Sequence, residues 1–291
     1  MNPLDLVKLP KLMELTAGRL DIMVGVIDGP VAINHSALAE HNMRGIPGGT
    51  PVTCTQAASI ACLHGTFVAG ILCAKRGSAA PAICPNCTLL VRPIFAEAIS
   101  GNVELPNATP EELASAILES IEAGARILNL SLALTQPSSK GRHALKQALD
   151  HAARRGVLVV AAAGNQGTIG STVITGHPWV IPVVACDLRG KPVNESNLGH
   201  SIGRHGLRAP GEQITSLGAQ GQPLTLCGTS FAAPFVTGAI ALVWSELPAA
   251  TGAQLRWAFM HAHTGGRSTV TPPLLDAWAA YQFLLATHSR R

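Results

Sequence analysis

Four polar residues suited to hydrolytic chemistry are spread along the 291-residue chain. Asp28 ends the apolar run 24–27, and His64 opens a segment of small and apolar residues. Asn165 follows a second apolar run, and Ser230 precedes a third. A hydrolytic serine needs a base within hydrogen-bond reach and an acid that orients this base. The residue types for such an arrangement are present, together with an amide that can stabilise an oxyanion.

Each of these residues also has a simpler structural interpretation. An Asp that closes a strand is commonly a turn former or a helix cap, and Ser is a favoured N-cap at the start of a helix. A lone His is usually structural, and Asn before a glycine-rich turn is common. Only the combination of all four in one chain points to catalysis.

The elements that must position these residues alternate between strands and helices. Apolar runs typical of buried parallel strands occur at residues 22–27, 88–93, 127–132, 157–162 and 180–185. Helical patterns separate several runs, most clearly at 110–123 and at about 143–155. This alternation predicts an α/β fold with a mainly parallel β-sheet and helices on both faces. Such sheets bind ligands at the C-terminal ends of their strands.

The sequence around the four residues resembles the motifs of the subtilisin-like serine proteases. The matching segments are 24–29 (VGVIDG), 64–70 (HGTFVAG), 161–167 (AAAGNQG) and 228–234 (GTSFAAP). Residues 128–132 (LNLSL) are similar to the family's substrate-binding strand, and 207–211 (LRAPG) are similar to its A-P-G turn. The resemblance extends over about residues 21–245 and implies a subtilisin-like three-layer fold and peptide hydrolysis.

The resemblance implies a role for each of the four residues. Ser230 is expected to attack the scissile carbonyl, and His64 to act first as general base and then as general acid. Asp28 is expected to orient the imidazole, and the Asn165 amide to bind the oxyanion with the backbone N–H of Ser230. This chemistry requires no metal ion or other cofactor.

The resemblance also predicts how a peptide substrate is bound. An extended substrate is expected to add a strand to backbone segments of the enzyme and to place its side chains in pockets. The walls of the pocket for the P1 side chain, which precedes the scissile bond, are predicted to be Ser131, Leu132 and Ala133 on one side and Ala162, Ala163 and Gly164 on the other. Many family members have glycine where Ala133 stands, so we expect its methyl group to narrow the cleft.

Departures from the common family pattern suggest a more specific relationship. Gly29 and Pro30 follow Asp28 in place of Ser or Thr and then Gly, Phe67 replaces a frequent second histidine, and Phe231 replaces a methionine. These forms look more like the precursor-processing proteases of cyanobactin-type ribosomal peptide pathways than like secreted degradative enzymes. The short interval between Asp28 and His64 favours hydrolysis over macrocyclisation. The alternatives are a general degradative intracellular subtilase and a catalytically silent subtilisin-fold protein that binds peptides.

Composition and charge limit the remaining function classes. With 47% hydrophobic and 13% charged residues, residues 1–291 are expected to form a single domain. Within it, 1–20 form an N-terminal helical extension, interpreted as one amphipathic helix, and 251–291 form C-terminal helices. The net charge of +4 is spread thinly, so nucleic-acid binding has little support. We find no signal peptide and no apolar run near the ~20 residues that span a bilayer, which predicts a cytoplasmic protein without a membrane partner.

The seven cysteines leave several alternatives open. At least one thiol is unpaired in a monomer because the count is odd. Cys84 and Cys87 have zinc-knuckle or redox spacing, but a structural zinc site normally needs four ligands. Buried thiols or a local disulfide are the simpler interpretations, with Cys54 and Cys62 as a second candidate pair. No acidic loop cluster indicates calcium, and no H-E-x-x-H pattern supports a metallohydrolase built on His261 and His263.

Overall fold

The computed structural model describes residues 2–38, 42–48, 50–97, 108–132, 139–262 and 269–288. The strands in these ranges are β1 (Met23–Asp28), β2 (Met43–Gly45), β3 (Thr88–Pro93), β4 (Ile127–Leu130), β5 (Leu158–Ala162), β6 (Val180–Cys186), β7 (Leu207–Pro210), β8 (Ile214–Leu217) and β9 (Pro223–Leu226). Strands β1 to β7 form a parallel sheet in the order β2-β3-β1-β4-β5-β6-β7, and β8 and β9 pair antiparallel.

Helices cover both faces of the parallel sheet. They are α1 (Pro3–Leu6), α2 (Pro10–Leu15), α3 (Ile60–Cys73), α4 (Pro110–Glu122), α5 (Ser139–Arg155), α6 (His200–His205), α7 (Thr229–Glu246), α8 (Gly252–His261) and α9 (Ala277–His288). Helices α3 and α7 pack on one face, where the larger hydrophobic core lies. Helices α4 and α5 pack on the other face over a second core. The strands are therefore buried on both sides, which explains their uninterrupted apolar runs.

Local sequence signals define the ends of the helices. Thr109 caps α4 in a capping box with Glu112, and Pro110 occupies its first turn. The helix ends before Gly124, whose φ of 94° is accessible to glycine at little steric cost. Ser59 caps α3 by accepting a hydrogen bond from the backbone of Cys62. These caps fix where the helices begin relative to the ends of the strands.

The structure confirms the predicted fold class and most of the predicted elements. Strand β3 has the predicted bounds, and β1, β5 and β6 differ from theirs by one residue at one or both ends. Strand β4 ends at Leu130, two residues earlier than predicted. The N-terminal segment forms two short helices instead of one, because Pro10 starts a new helix after Lys8, whose φ is 57°. The assignment of residues 1–291 to a single domain stays a prediction.

Candidate active site

A buried pair formed by Asp28 and His64 lies at the C-terminal end of strand β1. Asp28 is the last residue of the strand, and His64 lies in the first half of α3. The two atoms Nδ1 of His64 and Oδ1 of Asp28 are 2.6 Å apart. Asp28 is 0% exposed and His64 is 7% exposed. Because little water competes for this contact, the carboxylate fixes the orientation of the imidazole ring.

Two glycines allow α3 to approach the end of β1 closely enough for this contact. A Cβ atom on Gly29 would lie 2.0 Å from the carbonyl oxygen of Ala61 in α3. A Cβ atom on Gly65 would lie 2.5 Å from the carbonyl oxygens of Gly29 and Pro30. Both contacts are with backbone atoms that cannot move independently of their elements. Glycine at these positions is therefore a condition for the Asp28 contact to His64.

The Asp28 carboxylate is hydrogen-bonded on one side only. Oδ1 accepts from His64 and from the backbone N–H of Gly29, the latter at 2.6 Å. Oδ2 is buried and has no hydrogen-bond donor among the residues that the structure describes. The commoner family pattern has a hydroxyl residue at position 29, but the close approach of Ala61 leaves no room for its side chain. The close packing of α3 therefore accounts both for the glycine at position 29 and for the lack of a hydroxyl donor to Oδ2 of Asp28.

Ser230 occupies the second position of α7 and is 8% exposed. Its backbone carbonyl accepts a hydrogen bond of 2.9 Å from Oγ of Ser131, just beyond the end of β4. The amide of Asn129 donates to Oγ of Ser131 at 2.7 Å and accepts from the hydroxyl of Thr237 at 2.8 Å. This buried chain of polar groups connects the end of β4 to two turns of α7. It fixes the position of the first turn of α7 relative to the sheet.

Asn165 lies three residues after the end of β5, and its side chain is held by Thr229. Its Oδ1 accepts from the backbone N–H and from the hydroxyl of Thr229, both at 2.9 Å. The hydroxyl of Thr229 accepts in turn from the backbone N–H of Gly164 at 3.2 Å. A backbone N–H can only donate, so the oxygen of the amide faces Thr229 and Nδ2 is directed elsewhere. Asn165 is exposed as a residue, and no hydrogen bond from its Nδ2 is found among the described residues.

Aromatic packing joins the helix that carries His64 to the helix that carries Ser230. The ring of Phe231 lies 5.1 Å from the ring of His64 and 4.6 Å from the ring of Phe67. No hydrogen bond joins Oγ of Ser230 to His64 in the described part of the chain. Such bonds are often long in enzymes without substrate and tighten in the complex.

The register of the sheet brings together the two predicted walls of the P1 pocket. Leu130 pairs with Ala161, so the residues that follow, Ser131 and Leu132, continue beside Ala162 and Ala163. All of them are buried. Gly164 has a φ of 104°, which turns the chain at the end of its wall. The sixth predicted residue, Ala133, lies outside the described residues.

The segment before α3 is closed by a disulfide bond between Cys54 and Cys62. This agrees with one of the pairings considered from the sequence, whereas Cys84 and Cys87 are free and buried. A carboxylate oxygen of Glu97 and the two sulfur atoms lie within 4.8 Å of one another. In the described ranges, this is the one group of three or more His, Cys, Asp or Glu side chains that close together. The cluster does not suit a metal ion because disulfide sulfurs are not thiolates. His261, a candidate ligand in the sequence, instead contacts the carbonyl of Trp257, and His263 lies outside the described residues.

Three positioning residues were not identified from the sequence. Thr229 lies inside the G-T-S motif, so its place beside the proposed nucleophile was a usable signal. Asn129 and Thr237 interrupt apolar runs, and a polar residue within a buried run needs a partner. Their pairing across 108 positions of sequence is visible only in the fold.

A parallel α/β sheet that carries an Asp–His pair at one strand end, with a serine at a helix N-terminus and an amide nearby, is the arrangement expected of a serine endopeptidase. A model of the subtilase family, Peptidase S8, matches residues 20–274, and the chain therefore belongs to this family. Subtilisin DY from Bacillus licheniformis is 30% identical over 258 residues, which cover 87% of both sequences. These findings confirm the family and the enzyme class predicted from the motifs.

Solved structures of maturation proteases are similar to this chain over nearly their whole length. A mutant of the protease domain of PatA matches with a TM-score of 0.82 and 29% identity, covering 93% of this chain and 97% of that domain. The prenylagaramide maturation protease PagA matches with a TM-score of 0.83 and 29% identity, covering 95% and 98%. The predicted resemblance to precursor-processing proteases is thus confirmed at the level of structure. Among the described residues, no helix combines the length and apolar character needed to cross a bilayer.

Proposed function

We propose that Ser230, His64 and Asp28 form the catalytic triad of this serine endopeptidase. The observation that carries the proposal is the 2.6 Å contact between Nδ1 of His64 and Oδ1 of Asp28 at the end of the central strand. This contact keeps the proton on Nδ1, so Nε2 is the nitrogen that can accept a proton from Ser230. Asp28 then stabilises the imidazolium that forms when Ser230 attacks the scissile carbonyl.

Asn165 is the proposed side-chain donor for the oxyanion of the tetrahedral intermediate. Thr229 holds Oδ1 of Asn165, and this leaves Nδ2 to donate where negative charge develops. The backbone N–H of Ser230, at the start of an 18-residue helix, is the proposed second donor. Donors that are fixed before the reaction stabilise the transition state without a reorganisation cost.

The substrate of a protease of this family is a peptide, and we propose that it binds across the ends of β4 and β5. Ser131, Leu132 and the predicted Ala133 form one wall of the proposed P1 pocket. Ala162, Ala163 and Gly164 form the other. The hydroxyl of Ser131 donates a hydrogen bond to the backbone carbonyl of Ser230, so Ser131 faces the substrate through its backbone. The width of the P1 pocket then mainly determines which substrate side chains can bind.

The proposed biological role is the processing of a specific precursor peptide in a ribosomal natural-product pathway. Support comes from the similarity to PatA and PagA, which extends over 97% and 98% of those chains. A general degradative protease is the alternative, because subtilisin DY is similar over 87% of its length. The width of the cleavage profile separates the two roles.

The predictions for cofactors and for location have different kinds of support. The proposed chemistry needs no cofactor, and the absence of a structural calcium ion stays a prediction. The cytoplasmic location stays a prediction. The disulfide between Cys54 and Cys62 counts against it, because disulfides persist mainly in oxidising compartments, whereas the five free cysteines agree with it.

The test combines active-site labelling with a cleavage profile. A fluorophosphonate probe is applied to wild-type protein, to Ser230→Ala and to Ser36→Ala, which changes an exposed serine outside the proposed triad. We expect labelling of wild type and Ser36→Ala and none of Ser230→Ala. Labelling that survives in folded Ser230→Ala would refute the assignment of the nucleophile. Cleavage of a peptide library at a narrow set of sites supports precursor processing, and broad cleavage of casein overturns it.

A further inference from the structure

The side chain of Asn197 is bonded to the backbone on both sides of Asn165. Its Oδ1 accepts from the backbone N–H groups of Gln166 and Thr168, both at 3.1 Å. The same oxygen accepts from the hydroxyl of Thr168 at 3.0 Å. Its Nδ2 donates to the carbonyl oxygen of Ala163 at 3.2 Å and to Oε1 of Gln166 at 2.7 Å. Because backbone N–H groups only donate, the orientation of this amide is unambiguous.

The backbone of Asn197 adds a further contact to the same loop. Its N–H donates to the carbonyl oxygen of Gly164 at 2.9 Å. The neighbouring residues extend the pairing, since Gly167 donates to the carbonyl of Glu195 and Leu198 donates to the carbonyl of Thr168. The loop that carries Asn165 therefore rests along the segment 195–198.

The side chain of Asn197 packs closely against Gly164 of this loop. A Cβ atom on Gly164 would lie 2.3 Å from Nδ2 of Asn197, and the residue has a φ of 104°. Only glycine meets both conditions without strain. The turn that presents Asn165 is thus shaped around the Asn197 amide. Asn165 itself is exposed, and its side chain accepts a hydrogen bond from Thr229 of α7.

We propose that Asn197 is a positioning residue for peptide hydrolysis, acting through the backbone of residues 163–168 to place Asn165 at the oxyanion. This proposal rests on the assignment of Asn165 as oxyanion donor. Two residues then fix the position of the Asn165 amide. Thr229 fixes the rotation of the amide group, and Asn197 fixes the backbone on both sides of Asn165. Neither the sequence motifs nor the apolar pattern single out Asn197, because its contacts lie 29 to 34 positions away along the chain.

Displacement of the Asn165 amide should cost less activity than its removal. Removal of an oxyanion donor costs about 10²- to 10³-fold in kcat, a magnitude that comes from the corresponding asparagine of subtilisin itself. A misplacement of about 1 Å costs up to roughly 10²-fold. Asn197→Ala removes every hydrogen bond that the Asn197 side chain makes to the loop and leaves two backbone N–H groups without their acceptor. We therefore expect kcat to fall about 10- to 100-fold while KM changes less than about 3-fold, since ground-state contacts are little affected.

A double-mutant cycle with Asn165→Ala separates positioning from a general structural effect. The substrate is a peptide p-nitroanilide chosen from the cleavage profile, and the second readout is the inhibition constant of the matching peptide aldehyde, whose adduct carries an oxygen in the oxyanion site. If Asn197 acts through Asn165, then Asn197→Ala lowers kcat less than about 3-fold in the Asn165→Ala background. The aldehyde should bind more weakly to Asn197→Ala by the same factor by which kcat/KM falls.

Control variants keep the result interpretable. Asn194→Ala changes an exposed asparagine that directly precedes the segment 195–198 and should leave kcat unchanged. Asn197→Asp retains the three accepted hydrogen bonds and should lose less activity than Asn197→Ala. If Asn197→Ala does not fold, the double-mutant cycle is made with Asn197→Asp and Asn165→Ala, and the loss of kcat should again be smaller in the Asn165→Ala background. Equal losses of kcat in both backgrounds, or a rise in KM alone, would overturn the proposal. If Asn165→Ala alone retains full activity, the oxyanion assignment itself fails, which is a separate outcome.

Discussion

The ring of Phe231, which follows the proposed nucleophile, packs against the ring of Phe67 with centroids 4.6 Å apart and planes tilted by 55°. Phe67 is 0% exposed and Phe231 is 6% exposed. Both residues depart from the commoner family pattern, in which a histidine and a methionine occupy these positions. Because the two departures contact each other and Phe231 also contacts His64, they form one packing unit between α3 and α7.

A first prediction concerns the coupling of these two rings. Phe67→Leu and Phe231→Leu should each lower the free energy of unfolding by about 1–3 kcal/mol. The double variant should lose about 0.5–1.5 kcal/mol less than the sum, because the aromatic contact can be lost only once. Chemical denaturation of the four proteins measures this coupling.

A matched control for the pair is Phe259→Leu, at a buried phenylalanine of α8 that has no aromatic partner among the described residues. Its effect should add to that of Phe67→Leu within about 0.5 kcal/mol, as expected for independent sites. Additive behaviour of Phe67 and Phe231 themselves would show that the rings are neighbours without a specific interaction.

The sequence predicted those features that depend on local pattern. Buried parallel strands leave continuous apolar runs, so the strands ending at Asp28 and before Asn165 were located to within a residue. The order of the four motifs indicated the site because each motif is short and contiguous. The amphipathic pattern of residues 1–20 predicts one helix, whereas Pro10 begins a second one, because proline favours the first turn of a helix.

Contacts between distant polar residues could not be predicted in the same way. Asn129 and Thr237 lie 108 positions apart, and nothing in either segment specifies the other. The pairing of Cys54 with Cys62 was one of several alternatives, and it is decided by the distance of 5.6 Å between their Cα atoms. Such contacts depend on the register of β4 and on the packing of α3, which only the fold supplies.

A second prediction tests the close approach of α3 to strand β1. Gly29→Ala places a methyl group against the carbonyl oxygen of Ala61, so the helix that carries His64 must shift. We expect kcat/KM to fall by up to about 100-fold, because a displacement of about 1 Å is enough for such a loss. Hydrolysis of the peptide p-nitroanilide and thermal unfolding are measured together.

Gly170→Ala is the control for this substitution, since a Cβ atom there has no neighbour within 4 Å and the residue is not in the left-handed region. It should leave both activity and stability close to those of wild type. Full activity of Gly29→Ala would show that α3 adjusts without moving His64, so that glycine at position 29 is not a condition for the Asp28 contact.

A third prediction concerns Glu97 and the segment that precedes α3. Burial disfavours the charge of Glu97, but hydrogen bonds from Thr55, from the backbone N–H of Gln56 and from Ser59 outweigh it and lower the pKa of the carboxyl group. A depressed pKa in the folded state means that the carboxylate stabilises the fold above the ordinary pKa of about 4.3. This contribution is lost as the pH falls through the lower, folded-state pKa.

The measurement compares the unfolding temperatures of wild type and Glu97→Gln between pH 7 and pH 3. The difference should be constant near neutrality and should shrink below pH ~4.3 as Glu97 becomes protonated. Glu14→Gln is the control, because Glu14 is exposed on α2 and has no hydrogen bond or ion pair in the described ranges. A difference that grows as the pH falls would contradict the direction of the pKa shift.

A fourth prediction concerns the reactivity of the five free cysteines. Contact with the Cys73 thiol and burial raise the pKa of Cys84 well above its usual value, and contact with Cys84 and burial do the same for Cys87. Burial raises the pKa of Cys186 to about 12. Since the thiolate is the reactive form, these thiols should not react in the folded protein. Cys73 is also buried, whereas Cys227 is exposed and should react alone.

Titration with Ellman's reagent at pH 8 without reductant should therefore detect one fast thiol in the native protein and five after denaturation. Cys227→Ser should abolish the native signal. Reduction before denaturation adds Cys54 and Cys62, which brings the total to the seven cysteines of the sequence. Rapid native labelling of Cys84 or Cys87 would mean that solvent reaches this part of the core and would contradict the burial of these two thiols. Seven thiols in unreduced, denatured protein would contradict the disulfide.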